Sequence, residues 1–159
     1  MVLLDAGTTN ERLAFELPAE LEATIFTNAP PVAMALAGHP QIDVHLLGGQ
    51  LDKRRLAAVG NATVEAIRRL HVDICFLGIC SIHSEFGITG DDCEEAYLKS
   101  AMIENAADVV SLATAEKFGT RSPFLVAPVS ELTHLIVDRA VADETVAPYA
   151  TAGISIVRA

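Results

Sequence analysis

Tryptophan is absent from the 159 residues, tyrosine occurs twice and phenylalanine six times. A core built on stacked large aromatics is thereby excluded, and 25 alanines point instead to many close helix–sheet contacts. Basic residues are scarce as well: 11 against 21 acidic ones give a formal charge of −10. This balance argues against direct nucleic-acid binding by this chain, because holding a polyanion takes clustered Lys and Arg that displace its counterions. The densest basic run is Lys53-Arg54-Arg55, with Arg68-Arg69 further on, and neither is interleaved with aromatics. Both read as solvated faces. The three cysteines, Cys75, Cys80 and Cys93, are an odd number, and no secretory segment opens the sequence. Reduced thiols in a cytoplasmic protein fit that pattern. No stretch reaches the about 20 apolar residues that a spanning helix needs, so no membrane partner is expected.

What is present is a core. Val, Leu, Ile and Phe make up 30% of the chain, which excludes intrinsic disorder. The length suits one domain over residues 1–159. Short apolar runs mark strand candidates at Val2–Asp5, Ala23–Thr27, Ile42–Leu47, Ile74–Leu77, Val109–Leu112, Leu135–Val137 and Ile154–Val157. Several are continuous rather than alternating, as in strands buried on both faces of a parallel sheet. Helical segments fall between them at Asn10–Leu17, Pro31–Ala37, Asn61–Leu70, Asp92–Ala107 and Asp143–Thr151. The alternation predicts an α/β fold built from βαβ units. The first core strand begins directly after Met1, and so abrupt a start predicts a piece of a longer chain.

The strongest local signal is Asp5-Ala6-Gly7-Thr8-Thr9-Asn10, between a strand and a helix. Gly7 permits a tight turn, and a helix start offers unpaired N–H groups with a partial positive charge. Together they suit an anion, most naturally phosphate. The competing reading makes Thr9 or Asn10 a plain helix cap. The P-loop pattern is missing. Thr27-Asn28 and Gly48-Gly49 end the second and third strand candidates; both suit a strand-end crevice, and ordinary loop chemistry explains each equally well. Glu95 and Lys99 are four apart on the longest helix and share a face, either at the edge of a cleft or as an exposed ion pair. Lys117 follows the fifth strand and reads as a rim residue or as a solvated one. Cys80 and His83 are three apart, but no Cys-x-x-Cys or His-Glu-x-x-His pair accompanies them, so neither metal nor cofactor is expected. No Gly-x-Ser-x-Gly elbow supports a serine hydrolase.

In order along the chain, Asp5-Ala6-Gly7-Thr8-Thr9, Thr27-Asn28, Leu46-Leu47-Gly48-Gly49, Val59-Gly60, Asp73-Ile74-Cys75-Phe76-Leu77-Gly78, Gly87-Ile88-Thr89, Glu94-Glu95-Ala96, Lys99-Ser100-Ala101-Met102-Ile103 and Lys117-Phe118-Gly119 resemble the C-terminal sensor domain of the DeoR family of bacterial transcriptional regulators. The resemblance implies a three-layer α/β fold of the ribose-5-phosphate isomerase type, mostly parallel, with helices on both faces. It implies a bound phosphorylated sugar or related metabolite, and homo-oligomers. It also implies an N-terminal winged helix-turn-helix, absent here, as the only route to DNA. Asp5, Gly7, Thr8 and Thr9 match the family's first ligand loop, Lys99 its acidic–alanine–lysine helix motif, and Lys117 its serine–lysine–phenylalanine–glycine motif, where Glu116 replaces the serine. Ile79-Cys80-Ser81-Ile82-His83 departs from the family pattern, which leaves the effector's identity open.

The functional expectation is therefore a sugar-phosphate-sensing and oligomerisation domain of a repressor, not an enzyme. Its expected ligand residues are Asp5, Gly7, Thr8, Thr9, Asn10, Thr27, Asn28, Gly48, Gly49, Glu95, Lys99 and Lys117. The alternative is a sugar-phosphate isomerase of the same fold. That chemistry needs a positioned base, and Gly78-Ile79-Cys80-Ser81 carries no carboxylate. A third class, a pocketless assembly module, predicts no response to any phosphate ester.

Overall fold

The computed structural model describes residues 1–159. Seven strands form one parallel sheet in the order β12-β11-β9-β6-β1-β2-β3. These are β1 (Val2–Leu4), β2 (Ala23–Thr27), β3 (Ile42–Leu46), β6 (Val72–Leu77), β9 (Ala106–Ala113), β11 (His134–Val137) and β12 (Ser155–Arg158). All seven coincide with the expected apolar runs. The hydrophobic strand β1 lies in the interior of the sheet next to the central strand β6, with Leu3 facing one side and Leu4 the other, and both are fully buried. From β1 the chain steps outward to β2 and β3, then returns to β6 and steps out the other way. Hence β1 and β6, paired Leu4 to Phe76, mark the point where the strand order turns.

Helices cover both faces. On one side α1 (Thr8–Phe15) and α2 (Pro30–Leu36) close over Leu4, Ile25 and Ile42, a cluster of 7 buried residues. On the other, α3 (Asn61–Ile67), α4 (Cys93–Glu104) and α5 (Asp143–Thr151) pack a cluster of 25, so most of the core lies there. The three-layer α/β arrangement of the ribose-5-phosphate isomerase type is the one observed. Helix starts follow local chemistry. Prolines occupy the first turn of α2, where the missing N–H costs nothing. Asp92 caps α4 by accepting the Glu95 N–H at 2.9 Å.

Several boundaries differ from the sequence reading, α3 for example ending at Ile67 rather than Leu70, and two of the differences have a clear local cause. α1 begins at Thr8 rather than Asn10, because Gly7 at φ +138° turns the chain before the threonines. α4 ends at Glu104 rather than Ala107, because Ala106 already belongs to β9 and Asn105 ends the helix. Two small antiparallel sheets were not anticipated. β4 (Gln50–Asp52) and β5 (Ala57–Val59) form a hairpin apart from the main sheet. β7 (Ser81–His83), β8 (Gly87–Gly90) and β10 (Phe124–Ala127) form a three-stranded sheet, tied to α4 by the Ser100 hydroxyl on Val126 O at 2.7 Å.

Candidate functional site

Above the adjoining C-terminal ends of β1 and β6 opens a cleft of about 390 Å³. In open α/β sheets ligands collect at this turning point, and the volume lies within the range of small-molecule sites.

Its floor is an ion pair. Asp5, at the end of β1, is buried, and its carboxylate accepts the Ala6 N–H at 2.7 Å, the Gly78 N–H at 2.9 Å and the Lys99 ammonium. Lys99 reaches it from α4, only 3% exposed, also donates to Gly78 O at 2.6 Å, and stands 3.3 Å from Glu95 Oε1. Burial opposes charge on Lys99, but Asp5 and Glu95 outweigh that cost and raise its pKa above the ordinary lysine value. A charged lysine thus lies between two carboxylates. Gly78 is needed for this approach: a Cβ there would sit 2.6 Å from Ala6 O and 3.1 Å from Asp5 Oδ2.

One wall is the start of α1. No side chain caps this helix. The first hydrogen bond back to it is Glu11 N–H to Gly7 O, which leaves the N–H groups of Thr8, Thr9 and Asn10 without an intrahelical partner. Gly7, Thr8, Thr9 and Asn10 all line the cleft. The Asn10 amide is committed elsewhere, donating to Asp5 O at 3.0 Å and Phe76 O at 2.9 Å, so it stitches β1 to β6. The plain-cap reading of Thr9 and Asn10 does not hold, since neither side chain caps α1.

The opposite wall is the tip of the β4–β5 hairpin, with Arg54, Arg55 and Leu56 facing the cleft. Here the solvated-face reading of the basic run fails for Arg55. Its side chain is 17% exposed and forks over three carboxylates. Nη1 donates to Asp52 at 2.8 Å, Nη2 to Asp91 at 2.6 Å, and Nε lies 2.9 Å from Glu95 Oε2. Burial works against the guanidinium charge, and Asp52, Glu95 and Asp91 more than restore it. The same bond from Arg55 holds the Asp52 carboxyl below its usual range. Lys117, on a short 3-10 turn after β9, completes the rim, while Leu77, Ile79 and Leu112 supply apolar surface.

The structure brings seven of the expected residues together at the cleft: Gly7, Thr8, Thr9, Asn10, Glu95, Lys99 and Lys117. Asp5 lies beneath it. Thr27, Asn28, Gly48 and Gly49 do not line it. Thr27 Oγ1 accepts the Ala29 N–H at 3.1 Å, and the Asn28 amide donates to Ala58 O at 3.2 Å. Gly48 O accepts the Thr63 hydroxyl at 2.9 Å, and a Cβ on Gly49 would lie 2.0 Å from Thr63 Oγ1. These four serve the loops that support β5 and α3.

Comparison with known proteins shows the family. The family described as "DeoR C terminal sensor domain" matches residues 1–139. The chain belongs to the DeoR family. Among curated relatives, it is 36% identical over 138 residues to the HTH-type transcriptional repressor GlcR of Bacillus subtilis (strain 168), covering 87% of this chain and 53% of that protein. It is 32% identical over 157 residues to the HTH-type transcriptional regulator GlpR of Haloferax volcanii, covering 99% of this chain and 61% of that protein. It is 33% identical over 118 residues to the glycerol-3-phosphate regulon repressor of Escherichia coli (strain K12), covering 74% and 47%. The DeoR-family chain therefore spans about half to three-fifths of the length of these relatives. In fold it is similar to eIF2B beta from Chaetomium thermophilum, with a TM-score of 0.52 and 16% identity over 77% of this chain and 35% of that one.

In this DeoR sensor domain Cys80 lies close to two carboxylates. Ligand atoms of Cys80, Asp91 and Glu95 lie within 4.8 Å of one another. Arg55 bonds or pairs with both carboxylates, so a guanidinium already supplies the positive charge a cation would bring. Burial, then Glu95, pushes the Cys80 thiol up, away from the thiolate a metal prefers. The cleft residues that sequence reasoning missed are chiefly Arg54, Arg55 and Leu56, while Ile79 and Cys80, in the segment that departs from the family pattern, do line it. One signal was available for Arg55: Asp52 stands three residues before it, between two glycine-marked turns.

Proposed function

We propose that this cleft binds a phosphorylated sugar or related phosphate ester, and that the domain senses it for a cytoplasmic, homo-oligomeric transcriptional repressor. The DNA would be held by a winged helix-turn-helix outside this chain. The observation that carries the reading is the uncapped start of α1, whose free N–H groups face a cleft rimmed by Arg54 and Lys117. Oriented amides and a helix N-terminus suit a phosphate dianion. The phosphate belongs at this end. At the other end, Asp91 and Glu95 surround Arg55 and would repel it. There Glu95 Oε2, a buried oxygen that pairs with Arg55 Nε at 2.9 Å but receives no aligned hydrogen bond, suits a ligand hydroxyl. The name of one relative, the glycerol-3-phosphate regulon repressor, points to the same ligand class.

An isomerase is the less favoured reading. Glu95, a carboxylate on the cleft wall, is already engaged in ion pairs with Arg55 and Lys99.

The test is a thermal-shift panel of glucose 6-phosphate, fructose 1-phosphate and glycerol 3-phosphate against glucose, fructose and glycerol. At 100 times its dissociation constant a ligand adds about 2.7 kcal/mol, or about 5–10 °C for a domain of this size. The expected result is a shift with a phosphate ester alone, cut to about half or less at the same ligand concentration in Lys117→Ala and in Glu95→Gln, as at least tenfold weaker binding requires. Equal shifts with the unphosphorylated compounds, or a flat panel, would overturn the reading.

A further inference from the structure

The β4–β5 hairpin is attached to the domain in an uneven way. Gly49 precedes it and Gly60, at φ +89°, follows it. Its two strands pair only with each other. At its base it is held firmly: Ala58 exchanges hydrogen bonds with Asn28, at 2.7 Å from the Ala58 N–H and 3.2 Å to Ala58 O, and Ala57 and Ala58 are buried. At its tip no backbone hydrogen bond ties residues 50–57 to the body. Charged side chains do that. Arg55 reaches Asp91 before α4 and Glu95 on α4, and Arg54 stands 3.7 Å from Asp91.

The hold is also contestable. Arg55 Nε lies 2.9 Å from Glu95 Oε2, yet that oxygen receives no aligned hydrogen bond. Both groups border the cleft, and Leu56, at φ +52°, closes the same wall. Any ligand oxygen entering this end meets the guanidinium's donors, and any ligand hydroxyl meets Glu95 Oε2.

We propose that Arg55 reads the ligand and that the β4–β5 hairpin is the element whose position changes with occupancy. The inference rests on the phosphate-ester reading above and names its moving part. A ligand that engages Arg55 or Glu95 separates them, and the hairpin resets against α4. The half-exposed Leu51 and Leu56 travel with it, so occupancy changes how an apolar edge is presented. Ligand binding and surface change are then linked through one residue.

Hydrogen exchange followed by mass spectrometry tests this on the whole chain, with the phosphate panel run by thermal shift in parallel. Without ligand, Arg55→Gln is expected to speed exchange of residues 50–57 at least tenfold and leave β1, β6 and α4 unchanged. Asp91→Asn, which removes one external anchor and keeps the guanidinium, is expected to give a smaller rise and guards against a misfolded Arg55 variant. With a ligand that shifts the melting temperature, exchange of 50–57 in the parent protein is expected to change at least threefold. Unchanged exchange in both variants overturns the inference. So does ligand binding that leaves residues 50–57 untouched, while the phosphate-ester reading survives. A flat thermal-shift panel fails both, and is recognised by the absence of any binding signal.

Discussion

Lys99 shows how one side chain shapes this site. It is buried, charged and shared by Asp5, Glu95 and Gly78 O. Lys99→Met leaves the Asp5 carboxylate buried without its counter-charge, and removing one partner of a buried pair costs about 3–5 kcal/mol. A urea titration should show a loss of that size. The pH dependence has a definite sign. Because the folded-state pKa of Lys99 is raised, its contribution is complete below the ordinary lysine value of about 10.4 and is lost as pH rises through the higher folded value. Between pH 8 and 11.5 the urea midpoint of the parent should fall more steeply than that of Lys99→Met. Tyr149, whose burial raises its pKa, contributes a similar fall to both and cancels in the comparison. Gly78→Ala tests the same floor from the backbone side. A Cβ 2.6 Å from Ala6 O forces a shift costing about 1–3 kcal/mol, read as a lower urea midpoint. The sequence made Lys99 legible because Glu95 is one turn away on the same helix. It concealed Arg55, whose partners Asp91 and Glu95 are 36 and 40 positions away, so three basic residues in a row looked like solvent-facing charge.

At the scale of elements, α1 does two separate jobs, and its residues divide them. Asn10 fastens the helix to the ends of β1 and β6 through Asp5 O and Phe76 O. Thr8 is exposed at the cleft and bonds to nothing buried. Asn10→Ala should therefore lower stability by about 1–2 kcal/mol, since it removes a donor from buried carbonyls. Thr8→Ala should stay within about 0.5 kcal/mol. Urea unfolding with an unchanged m-value checks both, and equal losses would contradict this division. The same contrast explains what the sequence revealed of the fold. The central strands of the parallel sheet carry short apolar runs such as Ile74–Leu77, and such runs stand out. The strands of the two small sheets are three or four residues long and include Gln50, Asp52, Ser81 and Gly87-Ile88-Thr89-Gly90, too short and too polar to show a period. Gly87, at φ +84° with a Cβ position 2.4 Å from Ala127 O, is where β8 meets β10, a pairing across about 35 residues that no local pattern announces.

For the whole molecule the governing quantity is the charge of −10, which opposes the ligand proposed for its cleft. A folded chain of this length has a radius of about 20 Å. At that distance a dianion and a charge of −10 repel by about 4 kcal/mol in unscreened water. With a Debye length of about 30 Å at 10 mM salt roughly half of this remains, and at 150 mM, where the length is about 8 Å, less than a tenth does. Arg54 and Lys117 at the rim are outweighed at a distance by the acidic excess and dominate only once the ligand is close to them, so they govern the bound state and the net charge governs the approach. Association of a phosphate ester should therefore speed up as salt rises from 10 to 150 mM, the reverse of ordinary electrostatic steering. Dissociation should change less, because the contacts that hold the ligand are short and partly buried. Stopped-flow binding across that salt range gives both rates. A rate constant for association that falls with salt would mean that the rim cations, and not the acidic body of the domain, set the field an arriving anion meets.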